Sequence, residues 1–154
     1  MNFAKLLTPQ AVKVLSSTTS KKRLLTELGE LAEAACGFNA QNVVEALIAR
    51  EALGPTGVGH GVALPHARLE GVEEVTGLFV LLEKPVDFGS VDRQPVDIAF
   101  ALFAPENAGV EHLKALALVS RTLRDGGICS KLRANPSANT LYTILTEAEA
   151  VKAA

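Results

Sequence analysis

Residues 96–104 read VDIAFALFA, a run in which every residue after Asp97 is apolar. A second run, VTGLFVLL at residues 75–82, precedes it, and the shorter VAL stands at residues 62–64. Short runs rich in Val, Ile, Leu and Phe, bounded by Pro and Gly, are typical of strands in a sheet covered on both faces. With a β-compatible segment at residues 11–15, the sequence predicts such a sheet.

Helical periodicity precedes this apolar middle region. Ser20 offers an N-cap and Gly37 a C-terminal stop for a first helix, whose apolar residues recur at helical spacing. Asn39 offers the cap of a second helix, which ends at Gly54-Pro55 and has Arg50 near its exit. The buried stripe of this second helix is predicted to be Val43, Val44, Leu47 and Ile48.

The helical period returns after Pro105, with His112 in the first turn. The apolar residues that follow it at helical spacing are Leu113, Leu116, Ala117, Val119 and Leu123. Residues 128–134 favour a short helix, and Ser137 offers the cap of a last one. Helices on both sides of a strand-rich middle indicate a layered α/β fold. A chain of 154 residues suits one domain, which we expect to span residues 1–154.

The composition argues against several classes of function. A formal net charge of -2 at pH 7 gives no broad positive field for nucleic acid, and an aromatic content of 5% provides few stacking surfaces. No apolar run approaches the roughly 20 residues of a membrane helix, and no secretory signal is evident, so we predict a cytoplasmic protein without membrane insertion. Cys36 and Cys129 lack redox or metal-binding spacing and are expected to be buried or half-buried thiols.

The stretch GVGHGVALPHARL at residues 57–69 carries the candidate chemistry. Pro65 has a fixed φ and no N–H, so we expect it to end the strand at residues 62–64 and to place His66 at the end of the sheet. Ligand sites favour strand ends in open α/β sheets. A histidine is mostly neutral near pH 7, which leaves one ring nitrogen with a free lone pair. His66 is therefore the candidate nucleophile.

Other chemistries fit this stretch less well. Its glycines lack the Gly-Lys-Ser/Thr ending of a phosphate-binding P-loop, and no Gly-x-Ser-x-Gly elbow marks a serine hydrolase. Histidines at 60, 66 and 112 are numerous enough for a zinc site, although a separation of six residues matches neither one helix face nor one strand face. A metal site on His60, His66 and His112 remains an alternative.

The residues REALGPTGVGHGVALPHA at 50–67 resemble the active-site signature of the mannitol/fructose-type EIIA domains of the bacterial phosphotransferase system. Ser20-Lys21-Lys22 before the first long helix and Glu111-His112-Leu113 before the later one extend the resemblance over essentially the whole chain. The chain is most similar to the nitrogen-regulatory branch of that family. The resemblance implies an α/β domain with a central mixed sheet flanked by helices on both faces.

The resemblance also implies roles for individual residues. His66 is expected to accept a phosphoryl group on Nε2 from a phosphohistidine of an HPr-like carrier of the NPr type. His112, at a helix N-terminus that favours anions, is expected to support the phosphorylated ring by a hydrogen bond. Arg50 would contact the phosphoryl oxygens or hold the loop, and Thr56 would bond the phosphoryl group or the turn. His60 departs from the Asn common in the nitrogen branch.

The implied activity is phosphoryl transfer with a regulatory output. Phosphorylation adds about -1.5 to -2 charges at one position, which changes the surfaces that dock nearby. The expected partners are the HPr-like carrier and regulated proteins such as sensor kinases or transporters. No cofactor, metal or nucleic acid is implied.

Two further alternatives stay open at this stage. One is a sugar-specific fructose- or mannitol-type EIIA that passes the phosphoryl group to an EIIB. The other is a docking module in which His66 is never phosphorylated.

Overall fold

The apolar runs of the middle region pair with one another in a single sheet. The computed structural model describes residues 1–153, and it describes side chains for residues 1–148. The strands are β1 Val12–Leu15, β2 Gly57–Gly59, β3 Val62–Ala63, β4 His66–Leu69, β5 Thr76–Val86 and β6 Val96–Pro105. The α-helices are α1 Phe3–Leu6, α2 Lys21–Cys36, α3 Ala40–Glu51, α4 Val110–Leu123, α5 Gly126–Arg133 and α6 Ala138–Ala153, with a 3-10 turn at Pro9–Ala11.

Strand β6 is the centre of the sheet and of the core. The strand order is β1-β5-β6-β3-β2, and β4 also pairs with β6. β6 is antiparallel to β5 but parallel to β3 and β4, so the predicted mixed sheet is confirmed. All residues from 98 to 104 have 0% exposure. Because successive side chains of a strand point to opposite faces, both faces of the sheet are covered.

Strand β5 runs further than its apolar residues predict. It continues beyond residue 82 to Val86 and therefore includes Pro85. The pairing with β6 shifts register between Leu81 and Val86. A proline has no N–H for the ladder and is tolerated in a strand at such an irregularity.

The caps of the first two long helices are as predicted. The Ser20 side chain accepts from the Arg23 N–H at the start of α2, and Gly37 ends that helix with φ +76°. The Asn39 side chain accepts from the Asn42 N–H at the start of α3. These polar atoms pair backbone groups that a helix end leaves without partners.

The predicted buried stripe of α3 is only partly right. Val43 and Leu47 have 0% exposure, and Val44 is half-buried with its Cγ2 atom beside Gly29 of α2. The prediction is wrong for Ile48, which is 45% exposed. The reason is that α3 packs against α2 and β4 and buries only the side facing them.

Helix α4 buries only some of the apolar residues that recur at helical spacing in its sequence. Its buried residues include His112, Ala115 and Val119, whereas Leu113 is 67% exposed. Leu113 and Ala117 recur at helical spacing in the sequence, but both are exposed. Periodicity alone does not fix the rotation of the helix, because either face of the helix carries apolar residues that can pack on the sheet.

The strand that contains Val62 does end before Pro65, at Ala63, but the prediction that Pro65 places His66 at the end of the sheet is wrong. His66 is the first residue of β4, and β3 and β4 lie along β6 in the same register, with Val62 opposite Ile98 and His66 opposite Leu102. β3 and β4 therefore follow one another along β6 and are separated only by a break at Leu64-Pro65. The long-range pairing with β6 resumes directly after the proline, whose carbonyl accepts from the Leu102 N–H at 2.9 Å.

Candidate functional site

His66 is half-buried at the start of β4, and the strand interruption fixes its ring. The Leu64 N–H donates to the Thr56 carbonyl rather than to β6. The Leu64 carbonyl lies 2.8 Å from the His66 Nδ1 atom. A carbonyl can only accept a hydrogen bond, so Nδ1 carries the proton and Nε2 keeps its lone pair. Nε2 is therefore the nucleophilic atom of the ring.

Arg50 contacts that lone pair from the last turn of α3. Its Nε atom donates to His66 Nε2 at 3.3 Å, and its Nη1 atom donates to the Gly54 carbonyl at 3.0 Å. The second bond joins the guanidinium to the loop that follows α3. The sequence placed Arg50 at the helix exit, and the structure brings it to His66.

His112 lies against His66 from the first turn of α4. The two ring centroids are 5.7 Å apart with an interplanar angle of 70°. His112 is only 7% exposed, and its Nε2 atom is buried with no hydrogen-bond partner among the described residues. Burial lowers the pKa of His112 below its usual range, and the neighbouring His66 and Arg68 side chains lower it further. His112 is therefore neutral near pH 7 and has a ring nitrogen available for a hydrogen bond.

Thr56 lies behind the site and not on its surface. It is 4% exposed, and its hydroxyl donates to the Glu51 carboxylate. The Thr56 N–H donates to the same carboxylate at 3.3 Å, and Lys21 Nζ contacts it at 2.7 Å. The Thr56 hydroxyl therefore holds the turn through Glu51. A role for Glu51 was not predicted from the sequence, although a carboxylate next to Arg50 in the motif was a visible signal.

His60 stands apart from the other two histidines. It occupies the turn between β2 and β3 with φ +56°, between Gly59 and Gly61, whose φ values are also positive. Its N–H donates to Asp92 Oδ2 at 2.9 Å, and its carbonyl accepts from Arg133 Nη2 at 2.8 Å. It lines a separate cavity of about 240 Å³ with Ser120 and Arg124.

The geometry therefore does not unite His60, His66 and His112 as a metal site. Across residues 1–148, no group of three or more His, Cys, Asp or Glu side chains is placed to hold a metal ion. Within the described residues there is also no helix long and apolar enough to cross a membrane.

An open cleft of about 580 Å³ exposes the site between α3, β4 and α4. Its described charged lining residues are Arg50 and Arg68, and its other lining residues are histidine or apolar. Arg68 is a residue that the sequence analysis missed. The apolar wall includes Leu53 and Leu113, which are 84% and 67% exposed. The full lining is Ala46, Ala49, Arg50, Leu53, His66, Ala67, Arg68, His112, Leu113 and Leu116.

Comparisons with known proteins agree with this geometry. A family model described as "Phosphoenolpyruvate-dependent sugar phosphotransferase system, EIIA 2" matches residues 5–148. A nitrogen regulatory protein of Bradyrhizobium diazoefficiens is 47% identical over 145 residues, which are 94% of this chain and 95% of that protein.

Solved structures share the fold. The nitrogen regulatory protein IIA-Ntr of Neisseria meningitidis superposes with a TM-score of 0.84 at 40% identity, over 92% of this chain and 97% of that one. The mannitol IIA of Escherichia coli gives a TM-score of 0.75 at 22% identity, over 90% of this chain and 98% of that one. The second likeness supports the fold alone, and it agrees with the predicted mannitol-type architecture.

Proposed function

We propose that this chain, which belongs to the EIIA type 2 family of the phosphoenolpyruvate-dependent sugar phosphotransferase system, is a phosphocarrier that accepts a phosphoryl group on His66. The donor is a phosphohistidine of an HPr-like carrier of the nitrogen-related system, and the phosphorylation state regulates partner proteins. Membership of the family supports an EIIA-type phosphotransfer role in general. The observation that carries the finer proposal is the His66 Nε2 lone pair, which lies in a cleft beside Arg50 and the unpartnered Nε2 atom of His112.

The transfer needs no cofactor at this site. The Nε2 lone pair of His66 forms a bond to phosphorus as the bond to the donor nitrogen breaks, and that electron pair returns to the donor imidazole. Nδ1 keeps its proton, so the ring gains positive charge, which the Leu64 carbonyl at 2.8 Å stabilises. Phosphoryl transfer has a loose transition state, so positioning and charge stabilisation dominate its catalysis.

Arg50 has two tasks in this reaction. In the unphosphorylated protein its Nε–H occupies the His66 lone pair at 3.3 Å, which is a long hydrogen bond. The incoming phosphorus takes that position, so the N–H moves to a phosphoryl oxygen. Nη1 remains on the Gly54 carbonyl and keeps the guanidinium beside the reaction. His112 Nε2 then donates to another phosphoryl oxygen, while Thr56 supports the loop through Glu51.

The surface around His66 supports a protein as the phosphoryl donor. Leu53 and Leu113 expose large apolar side chains on either side of the open cleft. Large apolar side chains grouped on an exposed surface are typical of protein–protein contact sites. A carrier that presents its phosphohistidine between these residues would bury them during transfer.

The test is intact mass after incubation with phosphoenolpyruvate, an EI-type kinase and an HPr-like carrier. The wild type is expected to gain one acid-labile phosphoryl group and His66→Ala to gain none. His60→Ala is the matched histidine control, and it is expected to behave as wild type because His60 lies outside the cleft. An unmodified wild type with a demonstrably charged carrier would overturn the proposal.

The regulatory branch is tested against the sugar-specific alternative with the phosphorylated protein. The nitrogen regulatory names of relatives such as the one from Bradyrhizobium diazoefficiens favour the regulatory branch. Partner proteins captured from the same cell extract are expected to differ between the phosphorylated and unphosphorylated forms. Rapid transfer of the phosphoryl group to a sugar-system EIIB, with no such difference, would favour the sugar-specific function instead.

A further inference from the structure

The positive charge held beside His66 is small for a phosphoryl site. A phosphoryl group carries about -1.5 to -2 charges at pH 7. Arg50 supplies one positive charge, and His112 is neutral near pH 7 because burial lowers its pKa. Among the described residues that line the cleft, the Arg68 guanidinium is the other charged group, and it has no role in the proposed transfer so far.

Arg68 stands on the same side of β4 as His66. The two are separated by one residue on a strand, so their side chains leave the same face about 6.6 Å apart. The burial pattern agrees, since His66 and Arg68 reach the surface while Ala67 and Leu69 are buried. The charge of Arg68 also reaches His112, since it contributes to the lowered pKa of that residue.

The guanidinium of Arg68 is weakly held in the unphosphorylated protein. Its Nη1 atom donates to the Glu106 carbonyl at 3.3 Å, which is an uncharged acceptor. Within residues 1–148, no acidic side chain forms an ion pair with it, whereas Arg133 makes a multiple contact to Asp97 at about 3 Å. Arg68 therefore loses little when it leaves its carbonyl for a charged acceptor.

We propose that Arg68 is a second phosphoryl-binding residue, which turns from the Glu106 carbonyl to the phosphoryl oxygens when His66 is phosphorylated. The inference rests on the proposed phosphorylation of His66. Arg50 then holds the phosphoryl group from α3, Arg68 from β4 and His112 from α4. An arginine suits this task because its planar fork of N–H groups matches two oxygens at once.

The experiment measures phosphorylation of His66 by two donors. One is the HPr-like carrier, and the other is phosphoramidate, a small N-phosphoryl compound without a protein surface. Arg68→Gln is expected to lower the rate about tenfold with both donors, which is the loss of a modest charge-assisted hydrogen bond. Arg68→Lys keeps the charge without the fork and is expected to lose less.

The control is Arg121→Gln. Arg121 is exposed on the same helix as His112 but nine residues further on, about 13 Å along the axis. It is expected to leave both rates within about twofold of wild type, since charges that far apart at the surface are largely screened at physiological salt. Equal rates for Arg68→Gln and Arg121→Gln would overturn the proposal. So would a loss seen with the protein carrier alone, which would place Arg68 in docking.

A second measurement separates phosphoryl contact from a structural role. In ³¹P NMR of the phosphorylated protein, Arg68→Gln is expected to raise the pKa of the phosphoryl group, since a bound cation favours its dianion. An unchanged pKa would overturn the proposal. If the wild type is not phosphorylated at all, the proposed function itself is contradicted. This outcome differs from a phosphorylated wild type with no effect of Arg68→Gln, which contradicts only the role of Arg68.

Discussion

Glu51 is the buried group on which the loop beneath the proposed phosphoryl site depends. Its carboxylate is 6% exposed and accepts from the Thr56 hydroxyl, from the Thr56 N–H at 3.3 Å and from Lys21 Nζ at 2.7 Å. Glu51→Ala removes the acceptor of all three donors. Thr56 is 4% exposed, so water does not replace the lost carboxylate without movement of the loop.

The cost of Glu51→Ala follows from which donors can be hydrated again. Lys21 is 31% exposed in its side chain and regains water, so its contribution is small. The two Thr56 donors each lose a hydrogen bond to a charged group, worth about 1.5–3 kcal/mol. We therefore expect the free energy of unfolding to fall by about 3 kcal/mol, near the low end for removing one partner of a buried pair. The midpoint of thermal unfolding would fall by roughly 6–12 °C.

The assay is urea unfolding followed by circular dichroism, with Glu30→Ala as control. Glu30 meets Arg23 at 3.9 Å with both side chains about half exposed, so its loss is expected to cost about 0.5 kcal/mol or less. Thr56→Val combined with Glu51→Ala should cost less than the sum of the single changes, because both remove the same hydrogen bond. A loss below about 1 kcal/mol for Glu51→Ala, or full additivity of the two substitutions, would show that the Thr56–Glu51 hydrogen bonds do not stabilise the loop.

Three other predictions concern protonation and backbone. In the folded protein the pKa of His112 lies below its usual 6.5, so the unfolded chain binds more protons than the folded one as pH falls. The stability that His112 contributes is therefore present above about pH 6.5 and is lost as pH falls through the folded pKa. When the free energy of unfolding is measured by urea at several pH values, His112→Gln should lose less stability at acidic pH than the wild type. An equal dependence of stability on pH in the two proteins would contradict this cause. Gly61→Ala, at φ +79°, brings Cβ to 2.6 Å from Arg133 Nη2 and should lower the free energy of unfolding by about 2 kcal/mol. The control Gly37→Ala, at φ +76° with no atom within 4 Å, should cost about 1 kcal/mol, and equal losses would show that the contact with Arg133 adds no cost. His60→Asn should raise the free energy of unfolding by about 0.5 kcal/mol, because Asn tolerates φ +56° better, and a loss of stability would mean that the imidazole has a compensating contact.

Features with a local cause are those that the sequence predicts well. The polar caps at Ser20 and Asn39 and the left-handed stop at Gly37 each act within one turn of a helix, and the structure confirms them. The core strand at residues 96–104 was also readable, because a strand buried on both faces has no polar alternation to obscure it.

Features with a long-range cause were predicted poorly. The exposure of Ile48 and Leu113 depends on which face of a helix meets the sheet, and apolar residues on both faces leave that choice to tertiary packing. Local rules located an interruption at Pro65 but not the continuation into β4, because the continuation is stabilised by β6, whose partner residues lie 36 positions further along the chain.

The residues of the candidate site also differ in whether they could be predicted from local sequence or only from the three-dimensional structure. The strand end expected at Pro65 and the lone pair of a neutral imidazole made His66 a nucleophile candidate, but only the family resemblance gave His112 and Arg50 a role beside a phosphorylated His66. The Leu64 carbonyl was not identifiable from the sequence, because it depends on a three-dimensional hydrogen bond. Arg68 was within reach, since its spacing of two from His66 places both on one strand face.

The interruption at Leu64-Pro65 explains why the proposed nucleophile lies at this position of the sheet. In an unbroken strand the Leu64 carbonyl would have another strand to pair with, whereas here it accepts from the His66 Nδ1–H. The same hydrogen bond that satisfies this carbonyl places the proton on Nδ1 and so leaves the lone pair on Nε2. The Pro65 carbonyl accepts from the Leu102 N–H, so pairing with β6 resumes one residue after the break. His66 is therefore held by hydrogen bonding of its strand to β6 and does not lie in a loop. A backbone irregularity that would cost stability elsewhere in the sheet therefore selects the tautomer that the proposed phosphoryl transfer requires.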